Sequence, residues 1–131
     1  MKIDEIPAGR EMDALIAEKV MGWKPVPINH WLPEGKGRGD KPCLWLFNHH
    51  PQYGEQTRSM CDFRPSTDIS AAWEVAERIY QKGAQFSVKI GRPGGWRAWV
   101  GLNVGSDAVA PTAPLAICRA ALKTVLGRDE L

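Results

Sequence analysis

Residues 85 to 104 have the two-residue periodicity of a β-hairpin, and this feature restricts the fold more than any other. Phe86, Val88 and Ile90 alternate with polar residues, and a second alternating run extends from Trp96 to Val104. The run Gly91-Arg92-Pro93-Gly94-Gly95 separates them, a composition typical of a wide hairpin loop. The sequence therefore predicts an antiparallel sheet, against which the rest of the chain packs.

Three other segments have the three-to-four-residue periodicity of amphipathic helices. They comprise residues 9–21, a stretch that follows the capping residues 66–68 and ends at Gly83, and residues 112–126. Trp23 directly follows the first helix and Trp73 lies on the apolar stripe of the second, so both are expected in the core. The predicted stripes are Met12, Leu15, Ile16 and Val20; Ile69, Ala72, Trp73, Ala76 and Ile79 or Tyr80; and Leu115, Cys118, Leu122 and Val125.

The segment 24–65 interrupts this regular pattern. It contains six of the ten prolines and four of the thirteen glycines, and proline lacks the backbone donor that helices and inner strands need. Only residues 43–47 have the composition of a strand. We expect one domain over residues 1–131, with an irregular Pro/Gly-rich insertion at about 24–65. Long irregular segments in compact domains are usually functional or mobile, so this insertion is the expected location of a binding site.

These elements predict an α+β fold, in which an antiparallel sheet of three to four strands has helices on both faces as an α-β-α sandwich. Three stretches, residues 12–23, 66–75 and 112–122, resemble the phage ABA sandwich domain family: MDALIAEKVMGW, STDISAAWEV and TAPLAICRAAL. The resemblance implies an α-β-α sandwich in a small phage protein and implies no established activity. The matching residues are helix stripes, caps and stops, so no catalytic residue follows from them.

Charge and composition exclude several classes of protein. A net charge of +2 and a sequence pI of about 8.5 are too low for a dedicated polyanion binder, so nucleic acid is not an expected partner. No apolar run approaches the roughly 18 residues of a membrane span, and no secretory h-region is present. We expect a cytoplasmic protein, in the cytosol of the host cell. The three cysteines lack framework spacing and are expected to be reduced.

Metal binding and catalysis have little support in the sequence. Cys43, His49, His50 and Cys61 are ligand types suited to zinc, but the usual close Cys and His spacings are missing. The alternative is a partly buried Cys43 with solvent-facing histidines. No paired carboxylates or activated nucleophile can be identified, and Cys118 lies on a helix stripe. We therefore expect no catalytic residue, no metal, no cofactor and no enzymatic activity.

Aromatic and basic residues occur together near the predicted loops. Indole and guanidinium groups together bind a stacked base with a nearby phosphate, and the same residue types form hot spots of protein interfaces. Core packing is the alternative for each tryptophan. The predicted ligand-binding residues are Trp31, Trp45 and Trp96 for stacking, with His49, His50, Arg92 and Arg97 for phosphate or ribose.

These observations favour a binding protein over an enzyme. The leading hypothesis is a phage-encoded protein that sequesters a nucleotide-like small molecule, such as an immune signalling nucleotide. We expect a homo-oligomer, in which the loops of several subunits would meet at a shared pocket. The alternative is an interaction module that binds and blocks a host protein through the same tryptophans. Binding of single-stranded nucleic acid ranks third, because the net charge is close to zero.

Overall fold

The computed structural model describes residues 2–27, 42–52, 54–91, 95–102 and 104–131, and for residues 27, 42–43, 48–50, 55, 102 and 104 it describes the backbone alone. Trp31 and Arg92 lie outside the described residues. Within the described residues, the elements comprise a 3-10 turn at Ile3–Glu5, helices α1 Arg10–Leu15, α2 Ile69–Gln81 and α3 Ala113–Leu126, and six strands.

The three predicted helices are confirmed, with one local difference. Helix α1 continues into π-helical turns at Ile16–Val20, where the Met21 N–H donates to the Ile16 carbonyl oxygen at 3.0 Å. Asp68 caps α2 by accepting a hydrogen bond from the Ser70 N–H. Helix α3 ends at Gly127, which adopts a left-handed conformation with a φ of 68°.

Three strands from the described residues between 24 and 59 form an antiparallel sheet, whereas the sequence pattern predicts only one strand there. Its strands are β1 Lys24–Pro27, β2 Pro42–His50 and β3 Gly54–Ser59, in the order β1-β2-β3. Two prolines are accommodated in β1 because it is an edge strand. The sequence does not predict strand β3, because in GEQTRS apolar and polar residues do not alternate.

The predicted hairpin is confirmed, but it belongs to a second three-stranded sheet. Strand β4 is Gln85–Gly91, β5 is Gly95–Leu102 and β6 is Val104–Ala110, in the order β4-β5-β6. The prediction that Val104 continues the second hairpin strand is wrong, because the chain reverses after Leu102 and Val104 pairs back with it. Strand β6 is rich in Gly, Ala, Ser and Asp, which are weak strand formers.

Helix α3 lies at the centre of the core. It packs on β5 and β6, and also on α2 and on the π-helical turns. Ala98, Ala108 and Ala110 face α3 with small buried side chains, which allows the helix to approach the sheet closely. The predicted α+β class, with antiparallel strands and layered helices, is confirmed. On the face of the sheet β4-β5-β6 that points away from α3, residues such as Arg97 and Trp99 are exposed.

The prediction that Trp73 belongs to the core is wrong. Its side chain is 50% exposed, whereas Ala71, Ala72 and Val75 are buried. The buried face of α2 is therefore rotated away from Trp73 toward Ala71 and Val75, because small residues let α2 pack against α3. Trp23 is half-buried against the core, where its ring centroid lies 4.6 Å from that of Phe63.

A buried polar cluster connects the turn before α2 to α1. The Ser66 hydroxyl donates to Asp13 Oδ1 at 2.7 Å, and the Ser66 N–H donates to the same oxygen at 2.8 Å. The Gly9 N–H donates to Ser66 Oγ at 2.9 Å. Since α2 begins three residues after Ser66, the cluster sets where the first turn of α2 lies.

Candidate functional site

An open groove lies where the N-terminal ends of α2 and α3 meet the sheet β4-β5-β6. It has a volume of about 510 Å³, and its walls are almost entirely apolar. We call it the Trp73–Trp96 groove, after the two indoles that line it. The other lining residues are Ile69, Val88, Thr112, Ala113, Pro114 and Ile117.

The two tryptophans reach the groove from different elements. Trp73 lies on the second turn of α2 and makes an edge-on contact with Phe86, with the ring centroids 6.2 Å apart. Trp96 lies on β5 with its side chain on the helix-facing side, as the alternation with buried Ala98 requires. Half of the Trp73 side chain remains exposed. A flat ligand can therefore contact at least one indole of the groove from solvent.

The N-terminal end of α3 closes one end of the groove. Thr112 occupies the N-cap position, and among the described residues its side chain caps no helix amide. Pro114 lacks an N–H, and the first turn carries no acidic residue. The positive end of the helix dipole therefore faces this end of the groove without a neutralising carboxylate in its own first turn.

The structure separates the predicted ligand-binding residues that it describes. Trp96 lines the groove, whereas Arg97 is on the opposite face of β5, where its Nε lies 3.4 Å from Asp107 Oδ1. Trp45 is 3% exposed within the core. It therefore offers almost no surface on which a base could stack.

The remaining predicted residues have no described side chains. His49 and His50 belong to β2, where they pair with Glu55 and Gly54, and their backbone alone is described. Trp31 and Arg92 lie outside the described residues. Their predicted role in binding stays a prediction.

Trp99, which the sequence also places beside basic residues, is explained by packing within the sheet. A Cβ atom at Gly101 would lie 2.4 Å from its ring, and one at Gly105 would lie 2.5 Å from it. The indole therefore lies across two paired glycines, which leave space for it on the exposed face. This arrangement covers backbone that glycine would otherwise leave bare.

A second, more polar groove of about 380 Å³ lies between α2 and the sheet β1-β2-β3. Arg58 donates from Nη1 to Glu74 Oε2 at 2.6 Å, and its guanidinium lies 5.1 Å from the ring centroid of Phe63 and 6.0 Å from that of Trp23. Arg58 is thus paired within the chain. The arrangement joins α2 to the first sheet and leaves this guanidinium less available to a ligand.

The sequence pattern did not predict Trp73 and Ile69 as groove residues. Both fall on the apolar stripe of α2, which periodicity assigns to the core. One signal was available, because Ile69, Trp73 and Tyr80 lie within an arc of about 40° at the helical spacing of 100° per residue. A second apolar stripe, formed by Ala72, Val75, Ala76 and Ile79, already supplies the buried face.

The described residues also bear on metal, thiol and membrane chemistry. Among them, no group of three or more His, Cys, Asp or Glu side chains could hold a metal ion.

Cys61 is exposed and Cys118 is buried. Burial raises the pKa of the Cys118 thiol well above its ordinary value, and the nearby charge of Asp13 raises it further. No helix in the described part of the chain is long and apolar enough to cross a bilayer.

Comparison with known proteins identifies the fold and the family. The crystal structure of a phage protein from Bacillus cereus ATCC 14579 superimposes with a TM-score of 0.63 over 92% of this chain and 95% of that one, at 21% sequence identity. At this identity the likeness establishes the fold alone. A search of curated proteins gave no match. The sequence profile of the phage ABA sandwich domain matches residues 14–122, and the chain therefore belongs to the phage ABA sandwich domain family.

Proposed function

We propose that this protein is a binding protein whose Trp73–Trp96 groove holds the base of a nucleotide-like small molecule. The observation that carries the proposal is the presence of two indoles, on different elements, in one open groove of about 510 Å³. A volume of this size lies within the usual range for small-molecule sites. Stacking on an aromatic side chain contributes about 1–3 kcal/mol per base.

The surroundings of the groove favour a ligand with a flat apolar part and an anionic part. A base would lie against the apolar walls, while a phosphate would extend toward the positive end of the α3 dipole. In the sequence, Arg92 lies between β4 and β5, four residues before Trp96. In a phage protein, such binding would remove a nucleotide signal from the host.

Two measurements test this proposal. Purified protein is heat-denatured, and the supernatant is examined for a released nucleotide by absorbance and mass spectrometry. Thermal unfolding is then followed with a panel of cyclic and ADP-ribose-type nucleotides. We expect at least one nucleotide to be released or to raise the Tm. An empty supernatant together with no Tm shift across the panel would refute the proposal.

A matched pair of variants assigns the binding to the groove. Trp73→Leu removes the indole that is 50% exposed, and Trp99→Leu removes a comparably exposed indole on the opposite face of the sheet. We expect Trp73→Leu to raise the Kd about tenfold or more, the equivalent of about 1.4 kcal/mol of lost stacking. Trp99→Leu should change the Kd by less than twofold. Equal losses in both variants would exclude the groove.

One observation favours the alternative function, binding of a host protein. Ile69, Trp73 and Ile90 leave apolar surface exposed in and beside the groove, which is typical of an interaction surface. Under this alternative, no nucleotide shifts the Tm. A host protein then co-elutes with the parent chain and with Trp99→Leu, and does not co-elute with Trp73→Leu.

A further inference from the structure

Strand β4 is an edge strand of the second sheet, and it has few of the features that normally protect such edges. It pairs continuously with β5 from Gln85 opposite Gly101 to Gly91 opposite Gly95, and among the described strands β5 is its only neighbour. Its seven residues contain no proline and one charged side chain, Lys89. Natural edge strands are usually blocked by charges, prolines, bulges or a covering loop. This edge is therefore well suited to pair with another strand.

Exposed apolar side chains lie next to this edge. Ile90 of β4 is 73% exposed, and α2 packs beside β4 with Trp73 against Phe86. Ile69 and Tyr80, on the same stripe of α2 as Trp73, are 42% and 72% exposed. Ile69, Trp73, Tyr80 and Ile90 are half of the eight large hydrophobic residues that are exposed in the described part of the chain. A partner that pairs with β4 would cover part of this surface.

We propose that a second copy of this chain binds here, with the two β4 strands antiparallel about a two-fold axis at Val88. Val88 is the midpoint of β4, so this register pairs all seven residues. Phe86 then lies opposite Ile90 of the partner subunit on the helix-facing side of the extended sheet. The exposed Ile90 of each subunit thereby approaches the Phe86–Trp73 contact of the other, and the two sheets join as one sheet of six strands.

The distribution of charge supports a second copy in this register. Lys89, the one charge of β4, lies opposite the neutral Ser87 of the partner subunit. A register shifted by two residues, with the two-fold axis at Lys89, would place the two lysines directly opposite each other, which destabilises a pair of strands. Self-pairing about Val88 therefore avoids repulsion between like charges while it keeps apolar side chains together.

The area available indicates a weak dimer. A large aromatic side chain buries about 150–250 Å² in full, so the exposed fractions of Trp73 and Tyr80 supply on the order of 200 Å² for each subunit. With the isoleucines and seven backbone pairs added, the area stays below the ~800 Å² per partner of a standard interface. We therefore expect a dissociation constant in the micromolar range and a concentration-dependent mass.

Sedimentation analysis of the whole chain at a series of concentrations tests the interface. Ile90→Glu places a charge opposite Phe86 of the partner subunit and should raise the dimer Kd at least tenfold. The control is Val109→Glu, which places the same charge on another exposed residue, on β6 and directly across from Arg97. This control should leave the Kd within twofold of the parent value. Ile90 is not among the residues that line the Trp73–Trp96 groove, and sedimentation is measured without nucleotide, so a failure of this test is distinguishable from a failure of nucleotide binding.

A cysteine scan tests the register. Val88→Cys places two thiols opposite each other on the proposed axis, whereas Ser87→Cys places each thiol opposite a lysine. We expect mild oxidation to cross-link Val88→Cys to a greater extent than Ser87→Cys, and more than the parent chain, in which Cys61 is exposed. A parent that remains a monomer at all concentrations, equal effects of Ile90→Glu and Val109→Glu, or equal cross-linking of the two cysteine variants would overturn the proposal.

Discussion

Replacement of Ser66 by alanine tests whether the buried polar cluster between α1 and the start of α2 stabilises the fold. Ser66 is fully buried, and its hydroxyl makes two short hydrogen bonds, one to the Asp13 carboxylate at 2.7 Å and one from the Gly9 N–H at 2.9 Å. Alanine removes both bonds and adds no steric conflict. The Ser66 N–H still donates to Asp13, so the carboxylate keeps one partner.

The expected cost follows from the two lost bonds. A hydrogen bond to a charged group contributes about 1.5–3 kcal/mol, and a neutral one contributes about 0.5–1.5 kcal/mol. We therefore expect Ser66→Ala to lower the free energy of unfolding by about 2–4 kcal/mol. For a chain of this length, that loss lowers the Tm by roughly 10 °C. The loss is large beside the 5–15 kcal/mol that typically separates folded and unfolded domains.

Urea denaturation followed by tryptophan fluorescence and circular dichroism measures this loss. The control is Ser70→Ala, an exposed position in the first turn of α2, which should change the free energy of unfolding by less than about 0.5 kcal/mol. A double-mutant cycle with Asp13→Asn then isolates the coupling between Ser66 and Asp13. If Ser66→Ala costs less than about 1 kcal/mol, or no more than Ser70→Ala, the two hydrogen bonds of the Ser66 hydroxyl do not stabilise the fold.

Three further predictions concern the hairpin and the two cysteines with described side chains. Gly95 has a φ of 112°, and a Cβ atom there would lie 2.7 Å from the Ala110 carbonyl oxygen. Gly95→Ala should therefore lower the free energy of unfolding, measured by urea denaturation, by at least about 2 kcal/mol. The control is Gly91→Ala, whose Cβ atom would have its nearest contact at 3.9 Å, and it should cost under about 1 kcal/mol. The folded state holds the Cys118 pKa above its unfolded value and keeps this thiol protonated, so the stability that it contributes is present below about pH 9 and is lost as the pH rises further. Between pH 8 and pH 10, a range of about two pH units around the unfolded pKa, Cys118→Ala should therefore lose less free energy of unfolding than the parent does. Equal losses in the two proteins would contradict this expectation. At about pH 8, a thiol reagent should label the exposed Cys61 of the native parent and leave the buried Cys118 unlabelled. Peptide mass spectrometry would identify the labelled residue.

Local sequence patterns determined a large part of this fold. Helices α1, α2 and α3 were predictable because apolar periodicity, capping residues and terminal glycines are encoded within a few residues of each other. The β4–β5 hairpin was predictable for the same reason, since its alternation and its Gly/Pro-rich connection are local. The family resemblance rests on these same segments and agrees with the match over residues 14–122.

Tertiary structure decided which residues form the candidate site. Strands β3 and β6 carry polar or small side chains, and they form because neighbouring strands and α3 supply the partners that their own sequences do not specify. Trp73 and Trp96 are 23 positions apart and line one groove because α2 packs on α3 through small residues. Adjacent Trp96 and Arg97 are separated because consecutive side chains of a strand point to opposite faces. Composition indicated that indoles and cations occur near one another along the chain, but only the packing of helices on the sheet determined which of them share a surface.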